Sequence, residues 1–259
     1  MTASVTASVT ALHYTSGAPR VGATLIVAHG AGAGQRSPFM IAFAEAMADL
    51  GFDVVTFNFP YTEQKRRLPD RAPVLEACYA SVIHETLLRV PSARQHLFIG
   101  GKSMGGRMAT QLAAADGSLP IAGLVLLGYP FHPPGKPEKR RDAHLPSVRR
   151  PMLVVQGSRD TFGTPDELRP VFGALSPAAT LQVIDGGDHS FKVSRAGAAG
   201  QSAVNAGIRR TVAEWMTELM RTRLSIDELT KSASASSGPP GSSSDLPIWA
   251  EFPVRPAHD

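Results

Sequence analysis

Leu97-Phe98-Ile99-Gly100-Gly101-Lys102-Ser103-Met104-Gly105-Gly106-Arg107 is the stretch on which the fold turns. An apolar run ends in Gly-x-Ser-x-Gly, and residues 107–115 then read as a helix. Strand, tight turn and helix in that order are the context of a nucleophile elbow. The turn holds a serine hydroxyl clear of its neighbours and is too sharp for bulk two residues to either side, and glycine stands at both 101 and 105. Ser103 is therefore the candidate nucleophile.

Outward from this stretch the pattern repeats. Short apolar runs at residues 25–28, 54–57, 124–127, 152–155 and 181–184 are bounded by Gly, Pro, Asp or Asn and read as strands, most of them buried on both faces. Helical patterns fall between them at about 38–50, 74–88, 104–115, 165–175 and 204–220. The alternation predicts an α/β fold with right-handed βαβ crossovers and a mostly parallel central sheet covered by helices on both faces. The segment around Leu12-His13-Tyr14 suits an antiparallel edge strand.

With 259 residues, one domain accounts for the chain. We expect a flexible N-terminus over 1–10, the α/β domain over 11–222 and a flexible Ser/Gly/Pro-rich tail over 223–259, whose composition buries too little apolar surface to order itself. The formal net charge of +4 comes from short, scattered groups such as Lys65-Arg66-Arg67, too diffuse for a nucleic-acid partner. No apolar run approaches the roughly 20 residues that span a bilayer. The start lacks both the basic and the apolar block of a signal peptide. One cysteine, Cys78, allows no internal disulfide and no paired-cysteine metal site, and a reducing, cytoplasmic setting follows. No metal or cofactor is expected, and the oligomeric state is left open.

A serine hydroxyl needs a base to take its proton and a carboxylate to orient that base. In an open parallel sheet such partners gather at the carboxyl ends of the strands. The strand ending at Val155 leads into Gly157-Ser158-Arg159-Asp160, and the one ending at Ile184 into Asp185-Gly186-Gly187-Asp188-His189-Ser190-Phe191. Asp160 as the acid and His189 as the base give the chain order serine, acid, histidine that accompanies the elbow. Asp188 is the weaker acid, because neighbours on one loop rarely face each other well. For the oxyanion, one donor is the Met104 amide; a second, from the first βα loop His29-Gly30-Ala31-Gly32-Ala33-Gly34, is assigned to Ala31, with Gly32 as fallback. His29 either stiffens that loop or is a buried, backbone-satisfied histidine.

Two other motifs fail on spacing. A phosphate-binding loop ending in Gly101-Lys102-Ser103 needs glycine where His96 stands, and a dinucleotide fingerprint starting at Gly30 needs glycine or alanine where Gln35 stands.

Taken together, His29-Gly30-Ala31-Gly32, Gly101 through Arg107, Gly157-Ser158-Arg159-Asp160 and Gly187-Asp188-His189-Ser190-Phe191 resemble the α/β-hydrolase superfamily over about residues 12–220. The likeness is to a branch near the dienelactone hydrolases that includes testis-expressed hydrolase-like proteins and a chromatin-complex subunit. It implies a serine hydrolase without naming its substrate; we expect ester or thioester bonds of a small or accessible acyl substrate. Since some members are interaction modules, a non-catalytic module is the alternative, and a serine peptidase a variant of the same chemistry. Dienelactone hydrolases proper carry a cysteine nucleophile, where this chain has Ser103. The family's lid follows the strand that here ends at Leu127. Only a loop with one helical turn fits before Met152, so we expect an open crevice with Tyr129, Phe131 and His132 near its wall.

Overall fold

The computed structural model describes residues 10–17, 19–194 and 196–235, with side chains as far as 222. In chain order the elements are β1 (Ala11–Tyr14), β2 (Thr24–Ala28), α1 (Pro38–Asp49), β3 (Asp53–Phe57), α2 (Pro60–Glu63), α3 (Ala72–Arg89) and α4 (Pro91–Gln95). There follow β4 (Leu97–Lys102), α5 (Met104–Ala115), β5 (Gly123–Leu127), β6 (Met152–Gly157), α6 (Pro165–Gly173), β7 (Thr180–Ile184) and α7 (Gly197–Ala235). Four helices open on proline, Pro38, Pro60, Pro91 and Pro165, where the missing N–H costs nothing. In α6 the capping box of Thr164 and Glu167 adds a second start signal.

The seven strands form one sheet in the order β1-β3-β2-β4-β5-β6-β7. Only β1 is antiparallel, pairing Ala11 with Phe57 and Tyr14 with Val54. Side chains alternate across the sheet as a two-residue period requires. Ile26, Ala28, Ile99, Leu124 and Leu126 pack beneath α3, α5 and α6, against Tyr79, Met108 and Phe172 among others. Leu25, Val27, Phe98, Val125 and Leu127 face α1 and α7, against Phe43, Met47, Val212 and Met216. Both faces are thus covered, which is why the central strands read as unbroken apolar runs.

The chain winds one way from β2 to β3 and the other from β2 to β4. The carboxyl ends of β2 and β4 therefore diverge from adjacent strands, and the crevice between their loops is where such sheets place ligands. Val27 pairs with Gly100 and Ala28 with Gly101, so the first βα loop and the elbow leave the sheet at one level.

The described residues divide at Arg221 into a unit that holds the sheet and a second beginning at Thr222. Helix α7 is longer than the apolar period around 204–220 indicates. Helical backbone continues over 223–235. The expected flexible ends fall largely on 1–9 and 236–259, outside the described residues.

Candidate active site

At the elbow, Ser103 adopts φ 50° and ψ −114°, a backbone state worth about 1–3 kcal/mol of strain for a non-glycine residue. The surroundings enforce it. The Ser103 amide donates to Leu127 O at 3.0 Å, and the Arg107 amide donates to Ser103 O at 3.1 Å. A Cβ on Gly101 would stand 2.4 Å from the Ala28 carbonyl oxygen, and one on Gly105 only 2.3 Å from the same atom. Both glycines are bare because strand β2 passes directly against the turn. Beneath it the Tyr79 hydroxyl donates to Gly100 O at 2.6 Å and accepts from Gly100 N at 2.9 Å, fixing the strand that leads into the elbow.

Three side chains meet above this turn. His189 Nε2 lies 2.8 Å from Ser103 Oγ, and His189 Nδ1 lies 2.7 Å from Asp160 Oδ2. The Asp160 carboxylate is fully buried, with the imidazole one-fifth exposed. Its other oxygen accepts from the Phe162 amide at 2.8 Å, and Oδ2 also receives the Gln156 side-chain amide at 2.8 Å. The Phe162 ring stacks on the imidazole, centroids 4.2 Å apart. Asp188 instead folds its own loop, accepting the amides of Ser190 at 2.8 Å and Lys192 at 2.9 Å. The acid and histidine loops are laced together by Arg159 N to Gly187 O at 2.9 Å. That approach leaves no room for a side chain at Gly157, whose Cβ would meet Gly187 O at 2.3 Å.

Lys102, next to the serine, is turned inward. Its ammonium donates to the His189 carbonyl oxygen and stands 4.7 Å from the centre of the Phe191 ring. Burial pulls its pKa down to about 8, with Asp160 and Asp188 opposing the shift.

A cavity of about 600 Å³ opens over Ser103 and His189, and Met104 and Ala31 lie on its wall. A second cavity, of about 590 Å³ between α1 and α7, shares Pro38, Phe39 and Ser190 with it but contains none of the three side chains. Among the described residues, no group of three or more His, Cys, Asp or Glu is placed to hold a metal. No described helix is long and apolar enough to cross a membrane.

The other residues expected to bind substrate, His29 and Gly32 of the first βα loop and Tyr129, Phe131 and His132 after β5, do not line the cavity. His29 is wholly buried: its Nδ1–H donates to Gly30 O at 2.9 Å and its Nε2 accepts the Phe59 amide at 3.2 Å. It therefore staples the first βα loop to the chain after β3, and burial holds its pKa down. Gly32 supplies the turn at φ 73° without lining the cavity. Tyr129, Phe131 and His132 are each turned inward. The Tyr129 ring packs edge-on against Phe172 and its hydroxyl donates to Arg141 O at 2.7 Å. His132 is held between Pro133 O and Glu167. The segment from β5 to β6 has only one helical turn, Leu145–Ser147, and with no lid above them its rings find their apolar burial in the core.

What that segment does present is Arg141, which with Arg107 lines the cavity. Neither arginine, nor Lys102, Gln156 or Phe162, emerges from reading the sequence. Two signals were there: Arg107 is a cation in the first turn of a helix, and Gln156 a polar residue inside an apolar strand run.

A family model described as alpha/beta hydrolase domain matches residues 21–217. Similar solved structures include a lidless α/β serine hydrolase from Xanthomonas campestris, 20% identical with a TM-score of 0.63, over 80% of this chain and 89% of that one. A dienelactone hydrolase from Anabaena variabilis is 19% identical with a TM-score of 0.60, over 82% and 97%. A monoacylglycerol lipase from Paleococcus ferrophilus is 14% identical with a TM-score of 0.60, over 82% and 99%. These likenesses are of fold.

Proposed function

This chain belongs to the alpha/beta hydrolase domain family, and from that premise we propose that it is a serine hydrolase cleaving esters or thioesters of a small or accessible acyl group. The single observation that carries the reading is the unbroken line Ser103 Oγ, His189 Nε2, His189 Nδ1, Asp160 Oδ2, with contacts of 2.8 and 2.7 Å. A neutral imidazole so placed takes the serine proton as Oγ attacks the acyl carbon, and the buried Asp160 steadies the imidazolium that results. The oxyanion is received by the amides of Met104, at the start of α5, and of Ala31. Collapse of the adduct passes the proton from His189 to the departing alcohol or thiol and leaves an acyl group on Ser103. Water, deprotonated by the same imidazole, then releases the acid and restores the hydroxyl.

The cavity suits such substrates. No lid closes over it, and it is rimmed by Phe39, Pro130 and Phe162 beside the reacting serine. The finer kinship, to the dienelactone-hydrolase-like branch with its testis-expressed and chromatin-complex members, is proposed on the motifs around Ala31, Ser103, Asp160 and His189. A cytoplasmic setting is proposed on the lone cysteine.

Hydrolysis of small p-nitrophenyl esters tests the assignment. Ser103→Ala is expected to lower kcat by several orders of magnitude, as about 10⁴ or more is lost when such a nucleophile is removed. Turnover that survives the change would remove Ser103 from the mechanism.

A further inference from the structure

Arg107 and Arg141 are anomalous as surface arginines. Both line the cavity that holds Ser103 and His189. Among the described residues neither forms an ion pair with a carboxylate: Asp142, the acid next to Arg141, is taken by Arg140, and Asp70 on the cavity wall is paired with Arg66 at 2.6 Å. The Arg107 guanidinium has no hydrogen-bond acceptor among the described residues, and its Nε is buried without a partner. Gln111 Oε1, one turn further along α5, is also buried and unpartnered, so the two are not bonded to each other. Arg141 makes one long contact, from a guanidinium nitrogen to Pro130 O at 3.4 Å.

Two guanidinium groups near enough to repel each other are costly to bring together. Burial and the charge of Arg107 both hold the Arg141 pKa below its ordinary value. Arg107 also sits in the first turn of α5, where the helix dipole disfavours a cation. Such an arrangement is offset when an anion bridges the pair. A guanidinium presents its N–H groups in a planar fork that fits a carboxylate. The third cation on the wall, Lys102, is committed to the His189 carbonyl oxygen.

We propose that Arg107 and Arg141 form a carboxylate-binding subsite, so that the preferred substrate is an ester carrying a second, free carboxylate, such as a hemiester of a dicarboxylic acid. This rests on the hydrolase reading for the word substrate, but the anion site itself does not.

The test compares mono-p-nitrophenyl glutarate with its neutral methyl ester, alongside titration of monomethyl glutarate into the Ser103→Ala protein by calorimetry. The free acid is expected to exceed the methyl ester in kcat/KM. Arg107→Gln and Arg141→Gln should each lower that preference by about ten- to a hundredfold, the scale of one charge-assisted contact, with the loss mainly in KM. Arg141→Lys should recover part of it. Arg141 lies on a loop, so its variant decides the matter should Arg107→Gln fail to fold. Esters cleaved without preference, or a preference unchanged in the Arg141 variant, would overturn the subsite while leaving the hydrolase reading intact. Arginine-dependent binding of monomethyl glutarate with no ester turned over would do the reverse. No binding to Ser103→Ala and no preference would remove the subsite altogether.

Discussion

Gln156 holds Asp160 from below: the side-chain amide nitrogen stands 2.8 Å from Asp160 Oδ2 and 2.8 Å from Gly163 O. Its oxygen accepts the Tyr129 amide at 2.8 Å, so every strong valence of this buried side chain is used. One residue at the end of β6 thus ties the acid loop to the loop after β5 and gives Asp160 Oδ2, the oxygen that faces His189, a further donor.

Gln156→Glu replaces that donor with a second carboxylate beside a buried one. We expect kcat to fall by about ten- to a hundredfold, since a hydrogen bond to a charged group contributes roughly 1.5–3 kcal/mol. Steady-state kinetics on a p-nitrophenyl ester, with circular dichroism to establish folding, measures it. An unchanged kcat would mean that the carboxylate needs no second donor.

Gly101→Ala presses a methyl group to 2.4 Å from the Ala28 carbonyl oxygen, and backbone cannot step aside. The expected cost is at least about 2 kcal/mol, in the range of overpacking a tight interior. Urea unfolding reads it as a lowered midpoint. A midpoint equal to that of the parent would mean the strand and the elbow are farther apart than described.

The architecture was legible where burial acts on whole segments. Apolar runs bounded by turn residues mark strands whatever their neighbours do, and the segment around Leu12-His13-Tyr14, read as an antiparallel edge strand, pairs with β3. Ser103, Asp160 and His189 could be read for a related reason. Each stands just past a strand end, and the parallel sheet delivers all such ends to one rim. Which way a loop side chain turns is another matter, because it depends on what packs beside it. Tyr129 and Phe131 have the apolar rings of a substrate wall, yet the missing lid sends them into the core. Arg141, in a basic stretch that looks merely solvated, comes to the cavity instead.

His144 connects stability to pH. Thr110 Oγ1 donates to Arg107 O at 2.8 Å, so the His144 ring donates from Nε2 to Thr110 Oγ1, 2.8 Å away. Burial and then the nearby Arg107 charge push its pKa down to about 4 from the ordinary 6.5, with Asp142 opposing. Between these values the unfolded chain binds a proton that the folded chain refuses, so this residue's contribution to stability is lost as pH falls from about 6.5 to about 4. Urea midpoints at pH 7 and pH 4.5 should differ less in His144→Gln than in the parent. Equal differences would show that His144 does not titrate this way.

Cys78 is inert on this account. Burial raises its thiol pKa to about 12, so almost no thiolate forms near neutrality. Iodoacetamide at pH 7.5 should leave the folded protein unmodified and label it fully in denaturant, as read by intact mass. Rapid labelling of the native protein would contradict the packing of α3 against the sheet.

The central claim is that the line from Asp160 through His189 makes Ser103 unusually nucleophilic. A fluorophosphonate probe followed by intact mass measures this without any assumption about substrate. The account predicts one adduct per folded chain, located on Ser103, abolished in Ser103→Ala and strongly slowed in His189→Gln. A folded parent protein that takes up no probe, or that takes it up equally well without His189, would contradict it.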